Sequence, residues 1–170
     1  KGNILHRLLQ YLPAVAPEHR DASMVEYLAH YAEQYDAQTR AVMAEQVLGV
    51  LSNPALAPLF ADGSRAEQPL VGNLIRADGS ALRISGQIDR YCELDDAIWI
   101  ADYKTGRRDA SGRVPSAYLN QMAAYRALVQ IISGRTDIKC LLIWTQTGTV
   151  DWLAAADLDR VTEEILSVAS

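Results

Sequence analysis

The chain has 170 residues, of which 49% are hydrophobic and 22% are charged, a composition that predicts one soluble domain with a substantial core. Its formal net charge of -5 argues against a free-standing domain that holds DNA through a broad basic surface. No apolar run approaches the length of a membrane span and no signal peptide is recognisable, so we expect no membrane association.

The cysteines of the chain indicate which kinds of cross-link and metal site it can form. The two cysteines, Cys92 and Cys140, belong to no Cys-x-x-Cys pair. This argues against a disulfide framework, a structural zinc site and an all-cysteine iron–sulfur cluster, and it suits a reducing cytoplasm.

The chain starts at Lys1 rather than at a methionine and runs directly into a helical pattern. We therefore expect residues 1–170 to be one domain excised from a larger polypeptide.

A helical pattern over residues 3–12 opens the chain. It places one stripe of leucines inward: Leu5, Leu8, Leu9 and Leu12. His6 lies at the edge of this stripe, and Gly2, one turn earlier, would let another backbone approach the imidazole. Taken alone, His6 is either a satisfied residue at the edge of the core or a ligand.

Two more helices are predicted in the N-terminal third. The first begins with a cap at Asp21, or at residues 22–23, and ends near Tyr35. Its inward positions are Met24, Tyr27, Leu28 and Tyr31. The next runs from Thr39 to about Leu51. We interpret both helices as scaffold, with tyrosines that mark the edge of the core.

A meander of strands follows these helices. The first strand is predicted from Glu67 to about Arg76, and an Asp-Gly turn at residues 78–79 leads into a second strand over residues 82–90. The second strand alternates with period two. One face carries Leu82, Ile84 and Ile88, and the other carries Arg83, Ser85, Gln87 and Asp89.

An acidic turn at residues 93–96 leads into a third strand over residues 97–104, which is apolar on both faces until Asp102, as in a covered inner strand. If the turn is symmetrical with an even number of loop residues, Asp89 lies directly or diagonally opposite Asp102. In either register the two carboxylates share one face, about 5–8 Å apart between Cα atoms. Lys104 lies two residues past Asp102, so its side chain emerges on that face too.

This grouping of two acids and a lysine predicts a particular chemistry. Two close carboxylates repel each other unless a proton or a cation lies between them, and oxygen ligands suit Mg²⁺ or Mn²⁺. A lysine beside a cation can hold or deprotonate a water and neutralise charge that develops on a phosphate. The pattern therefore indicates metal-assisted phosphodiester hydrolysis.

A purely structural role of these residues is the alternative. In that case Asp89 is a solubilising residue, and Asp102 and Lys104 form a cross-strand ion pair. Glu67 could reach this site or form an edge-strand salt bridge.

A loop and a long helix come next. Residues 105–115 contain the notable basic cluster of the chain, Arg107, Arg108 and Arg113, which either serves the site or is solvated loop charge. A helix is predicted from Pro115 to about Ile132. Its buried stripe is Tyr118, Met122, Tyr125 and Val129. Gln121 borders this stripe and shares a face with Tyr125, four residues later.

The C-terminal segment completes the predicted sheet. Strands are expected over residues 138–146 and up to Leu153. Asp157 is expected to cap a last amphipathic helix with Leu158, Val161, Ile165 and Val168 inward. The order of elements predicts an α/β fold with a mixed sheet flanked by helices.

Several other chemistries fail on missing residues. Lys104-Thr105-Gly106 matches one element of serine β-lactamases, but the chain contains no Ser-x-x-Lys that would supply their nucleophile. No phosphate-binding Walker loop, Gly-x-Gly-x-x-Gly or pair of closely spaced histidines occurs either.

Three motifs occur in a characteristic order: Gly86-Gln-Ile-Asp89-Arg90, Ala101-Asp102-Tyr103-Lys104-Thr105-Gly106, and Gln121-Met-Ala-Ala-Tyr125. With His6 upstream and Leu-Leu-Ile-Trp-Thr downstream, the set resembles the RecB-like nucleases of the PD-(D/E)XK superfamily. Within them it is similar to the C-terminal nuclease domain of AddA-type helicase–nucleases of bacterial double-strand break repair. The resemblance covers essentially the whole chain.

The resemblance implies a restriction-endonuclease-like core, α-β-β-β-α-β, with an extra N-terminal helical insertion. It also implies roles for matching positions. His6, Asp89, Asp102 and the main-chain carbonyl of Tyr103 would hold Mg²⁺ or Mn²⁺, and Lys104 would position or activate the attacking water. The Gln-x-x-x-Tyr element would orient the lysine or the phosphate through Gln121 and Tyr125.

The implied activity is that of an exodeoxyribonuclease that cuts single-stranded DNA fed by helicase domains of the same polypeptide, with an AddB-type partner subunit. Ile88 replaces the motif's proline and Gly106 stands where many AddA-type chains have asparagine, but neither is an implied ligand. Two alternatives stay open: a non-catalytic DNA-binding module of the same fold, and a stand-alone nuclease.

Overall fold

The protein is described by a computed structural model that covers residues 2–167, and its centre is a five-stranded mixed sheet. The strands lie side by side in sequence order: β1 (Arg65–Ile75), β2 (Ala81–Glu93), β3 (Ile98–Lys104), β4 (Ile138–Trp144) and β5 (Thr149–Leu153). β3 and β4 are parallel, whereas the other neighbours are antiparallel. A parallel pair needs a long crossover, and a helix between β3 and β4 supplies it.

Six α-helices cover the sheet in the described part of the chain. They are α1 (Gly2–Tyr11), α2 (Arg20–Tyr31), α3 (Ala37–Leu51), the single turn α4 (Ala57–Phe60), the crossover helix α5 (Ser116–Ser133) and α6 (Ala155–Ser167). Short 3₁₀ turns precede α2 and α4. α3 starts where it does because Asp36 accepts a hydrogen bond from the main-chain nitrogen of Thr39 and so caps the helix.

The inner strands separate two hydrophobic cores. On one face, Leu141 and Ile143 of β4 pack with the leucines of α1 and with α2 and α3. On the other face, Cys140 and Leu142 pack with α5 and α6. Alternate residues of β4 thus enter different cores, which explains why this strand is apolar at nearly every position.

The predicted fold class is confirmed: an α/β restriction-endonuclease-like core with helices inserted near the N-terminus. Among residues 2–167, no helix has both the length and the apolar character that a membrane crossing requires.

Several local predictions were wrong. α2 begins at Arg20 without a side-chain cap and ends at Tyr31, not near Tyr35, while α3 begins at Ala37 rather than Thr39. The last helix starts two residues before Asp157, and Val168 lies outside the described residues. Tyr31 was expected inward, yet it is 54% exposed because the core beneath α2 is already filled by Met24 and Leu28.

Candidate active site

The candidate site lies where β2 and β3 separate. These strands share four residue pairs, the last of which is Arg90 opposite Ala101. The next residues, Asp89 and Asp102, are past the end of the paired segment, where β2 continues beside β1 and β3 beside β4. The main-chain nitrogen of Tyr103 donates to Asp89 Oδ2 at 2.7 Å. A carboxylate thus takes the place of a strand-to-strand hydrogen bond at this fork.

Two side chains from distant parts of the sequence, His6 and Glu67, lie close to Asp89. His6 of α1 has its Nε2 atom 3.0 Å from Asp89 Oδ1 and 3.3 Å from Glu67 Oε1. One potential ligand atom from each of these residues lies within 4.8 Å of the others. We call His6, Glu67 and Asp89 the acidic half of the site.

Glu67 reaches this cluster with an unusual backbone. Its φ of 52° is the one positive φ of a non-glycine residue in the described chain. A side chain in this left-handed region costs about 1–2 kcal/mol, so the surrounding structure must hold it there. The conformation occurs near the start of β1, at its third residue, whose carboxylate meets the imidazole.

Burial and crowding change the ionisation of two groups here. Contact with the Asp89 carboxylate raises the pKa of His6, against the opposing effect of burial. Burial, followed by the negative charge of Asp89, raises the pKa of Asp102 to about 6, although Lys104 opposes this rise. Both shifts report an excess of negative charge in a poorly solvated place.

Lys104, Asp102 and Gln121 form a second, closed cluster, which we call the lysine half of the site. Lys104 Nζ lies 2.5 Å from Asp102 Oδ2 and donates to Gln121 Oε1 at 2.8 Å. The amide of Gln121 in turn donates to Asp102 Oδ1 at 2.9 Å. The ring of Tyr118 lies under the ammonium, 4.3 Å from Nζ to the centroid. The lysine is therefore held on several sides.

The donors present fit a divalent cation. The acidic half offers one imidazole nitrogen and two carboxylates, a set suited to Mn²⁺ and, through its oxygens, to Mg²⁺. His6 Nε2 is enclosed, yet it forms no well-directed hydrogen bond with the nearby carboxylates. A cation among these atoms would relieve the repulsion between Glu67 and Asp89. Asp102 lies next to this cluster, but its Oδ1 atom accepts from Gln121 and its Oδ2 atom pairs with Lys104.

Comparison of the sequence with models of protein families identifies the family of this chain. The model of the PD-(D/E)XK nuclease superfamily matches residues 1–160. The chain belongs to the PD-(D/E)XK nuclease superfamily. This membership supports a metal-dependent nuclease. That Asp89, Asp102 and Lys104 are the two acids and the lysine of the family motif stays a prediction.

Other comparisons add little to the family assignment. No curated protein of similar sequence was found. Among the matching solved structures, "Crystal structure of SSO0001" is 17% identical and aligns over 94% of this chain and 72% of that one, with a TM-score of 0.40. A likeness of this degree carries no functional weight.

The Gln-x-x-x-Tyr element of this PD-(D/E)XK chain is divided between two tasks. Gln121 joins Lys104 to Asp102 by two hydrogen bonds, and its role in orienting the lysine stays a prediction. Tyr125 instead places its hydroxyl 3.3 Å from the main-chain nitrogen of Gln87. A Cβ at Gly86 would come within 1.9 Å of that hydroxyl, so the glycine makes room for the tyrosine. A catalytic role of Tyr125 stays a prediction.

Arg90, next to Asp89, holds α1 in place. Its guanidinium donates to the main-chain carbonyls of Leu9 and Gln10, at 2.9 and 3.2 Å, in the last turn of α1. These carbonyls have no partner within the helix, and the positive charge suits this end of the helix dipole. Since α1 carries His6, the Asp-Arg dipeptide fixes both partners of the imidazole–carboxylate contact.

The structure thus unites most of the predicted site residues and adds others. His6 and Asp89 meet in one half, and Asp102, Lys104 and Gln121 in the other. The Tyr103 carbonyl and Asp102 as metal ligands stay predictions, whereas the Tyr103 ring packs edge-on against His6 at 5.2 Å. Glu67, for which the sequence left open a place in the site or an edge-strand salt bridge, joins the acidic half. Tyr118, expected in the core, lies under the Lys104 ammonium. Its spacing of three residues from Gln121 on one helix could have identified it.

Proposed function

We propose that this chain is a divalent-metal-dependent exodeoxyribonuclease that hydrolyses phosphodiester bonds of single-stranded DNA. The observation that carries the proposal is the fork between β2 and β3, where Asp89, Asp102 and Lys104 are brought together. Acidic residues that serve only as solubilising groups or as surface ion-pair partners are normally exposed to solvent. Asp102 and Asp89 are instead buried, with 5% and 8% of their surface exposed.

The protein's own groups support this chemistry. His6, Glu67 and Asp89 would hold Mg²⁺ or Mn²⁺, with Asp102 and the Tyr103 carbonyl as further candidate ligands. The cation would polarise the phosphate and lower the pKa of a bound water. Lys104 would hold the attacking water by hydrogen bonding and balance negative charge that grows on the phosphate oxygens. Gln121 would keep the ammonium aimed, since it bonds Lys104 and Asp102 at once.

We further propose that the chain works as the nuclease domain of an AddA-type helicase–nuclease in double-strand break repair, with an AddB-type partner subunit. The net charge of -5 supports this arrangement, because attached helicase domains would supply the phosphate contacts that an acidic surface lacks. Cys92 and Cys140 are buried and free, which suits a cytoplasmic location.

Cleavage by matched lysine variants tests the nuclease activity. End-labelled single-stranded and duplex DNA are incubated with the protein in Mg²⁺, Mn²⁺ or chelator. We expect cleavage only with a divalent metal, and its loss in Lys104→Ala and Asp102→Ala. Lys139→Ala is the control, because this exposed lysine of β4 lies outside the site and pairs with Asp96 in the turn between β2 and β3.

The same assay separates the alternatives. Unchanged cleavage in both site variants would contradict the proposal. Binding of DNA without metal-dependent cleavage by the unaltered protein would favour a non-catalytic module of the same fold. Thermal unfolding of each variant shows whether a loss of cleavage reflects the site or the fold.

A further inference from the structure

An open groove of about 760 Å³ begins at the acidic half of the site and crosses the N-terminal helices. His6 and Glu67 line its inner end. Its remaining wall includes Arg7 and three tyrosines: Tyr11, Tyr27 and Tyr31. A second hollow of about 420 Å³ extends the path past the same three rings. The groove is thus a continuous surface that leads away from the candidate metal ligands.

Two of the three tyrosine rings in this groove are exposed, whereas Tyr27 is partly buried against the core. Tyr11 is 50% exposed and Tyr31 is 54% exposed. Tyr27 and Tyr31 lie four residues apart on α2, with ring centroids 4.5 Å apart, and His30 contacts Tyr31 edge-on at 4.6 Å. Neither core uses the rings of Tyr11 and Tyr31. Both rings are therefore accessible to another molecule, although Tyr31 already contacts Tyr27 and His30.

One cation lies beside these rings. Arg7 is exposed in the groove and, within residues 2–167, makes no ion pair with a carboxylate. A guanidinium at this place can contact a phosphate. The groove therefore combines flat aromatic surface, one cation and direct continuity with the candidate metal ligands.

We propose that Tyr11, Tyr27 and Tyr31 form a stacking platform for unpaired bases of the DNA strand whose phosphodiester lies at the acidic half. Arg7 contacts a phosphate of the same strand. This inference rests on the proposed nuclease activity and assigns residues of α1 and α2, helices first interpreted as scaffold, to substrate binding.

Dimensions and charge favour a single strand. Tyr11 lies five residues after His6 on α1, a rise of about 7.5 Å along the helix, which equals about two stacked nucleotides. Bases in a duplex already stack on their neighbours, whereas unpaired bases offer a free face to aromatic side chains. Stacking also suits an acidic protein, because it does not depend on a broad basic surface.

Binding measurements on exposed tyrosines test the platform. The Lys104→Ala variant serves as the parent, so that DNA stays intact in Mg²⁺. Fluorescence anisotropy then gives the Kd for a labelled thymine oligonucleotide and for an abasic oligonucleotide of equal length. Into this parent we introduce Tyr11→Leu with Tyr31→Leu, which keep apolar bulk but remove the rings. Tyr11→Phe with Tyr31→Phe is the matched control, since it keeps the rings.

The leucine pair should weaken binding of the thymine oligonucleotide by about tenfold or more, while binding of the abasic oligonucleotide stays the same. The phenylalanine pair should bind both oligonucleotides like the parent. Equal binding by the leucine pair, or an equal loss with the abasic oligonucleotide, would overturn the platform alone. If the parent binds neither oligonucleotide and the unaltered protein does not cleave DNA, the proposed activity fails with it. Unchanged thermal unfolding of both pairs verifies their folding.

Discussion

The two halves of the site satisfy their charges in different ways. In the lysine half, one ammonium, one carboxylate and one amide bond each other, and all come from β3 and α5. The acidic half sets two carboxylates against one imidazole, and its members come from α1, β1 and β2. One half is thus balanced as it stands, whereas the other would be stabilised by an added cation.

This difference shows that one half of the site can be held in place by the fold while the other half remains ready to bind a cation. The lysine is aimed before substrate arrives, because its partners are part of the fold. The acidic half stores repulsion and backbone strain at Glu67 that binding of a cation would help to offset. Metal binding and catalysis should therefore respond to different substitutions.

Substitutions in the two halves should separate metal binding from cleavage, and this is the largest expected effect. Asp89→Asn removes a carboxylate from the acidic half, so we expect loss of both Mn²⁺ binding and cleavage. Lys104→Met should lower cleavage by about 10²–10⁴-fold. It should leave Mn²⁺ affinity equal or higher, because it removes a competing positive charge. Isothermal titration calorimetry with Mn²⁺ and a cleavage assay measure the two properties.

Loss of Mn²⁺ binding in Lys104→Met as complete as in Asp89→Asn would show that the halves are one unit. In that case metal binding and cleavage would not depend on separate halves of the site.

Substitutions of two buried arginines, Arg90 and Arg126, test how the acidic half depends on the docking of α1. Arg90→Met leaves the carbonyls of Leu9 and Gln10 without their donor, so we expect a loss of about 1–3 kcal/mol in the free energy of unfolding. His6 would lose its anchor, and Mn²⁺ affinity should fall about tenfold. Arg126→Met is the control. This arginine of α5 pairs with Asp159, which is 59% exposed, so its loss should cost less than about 1 kcal/mol.

Chemical denaturation and calorimetry on both variants give these quantities. Equal Mn²⁺ affinity in the two variants would mean that Arg90 stabilises α1 without positioning His6.

The smallest expected effect concerns Tyr125, which stands on α5 but contacts β2. Gly86→Ala would force the Tyr125 hydroxyl away from Gln87 and should cost about 1–2 kcal/mol of stability, since overpacking displaces a half-buried ring. Gly49→Ala in α3 is the matched control, because its new methyl group meets nothing within 4 Å. It should be neutral or stabilise the helix by up to about 1 kcal/mol.

Cleavage by Gly86→Ala tells whether Tyr125 serves the lysine half. We expect a loss smaller than the roughly tenfold effect of disturbing an outer ligand partner. A larger loss at unchanged metal affinity would support the catalytic role that the superfamily resemblance implied.

Much of the site was predictable because its central part is local. The alternation of β2, the acidic turn and the buried character of β3 place Asp89, Asp102 and Lys104 near one another within sixteen residues of sequence. The periodicity of α5 likewise places Gln121 on a defined face. These inferences needed only strand and helix geometry, and the contacts of Lys104 with Asp102 and Gln121 agree with them.

Short-range periodicity and turn chemistry predicted the order of the main elements, the α/β class and the placement of Asp89, Asp102 and Lys104, because they are local properties of the chain. The family resemblance added His6, Gln121 and Tyr125. Three features could be seen only in the folded chain: β2 and β3 part after Arg90, Glu67 turns into the site, and α1 docks on the Arg90 side chain. The exposure of Tyr31 beside the site is a fourth. Such features depend on which distant surfaces compete for the same core volume, and no local pattern records that competition.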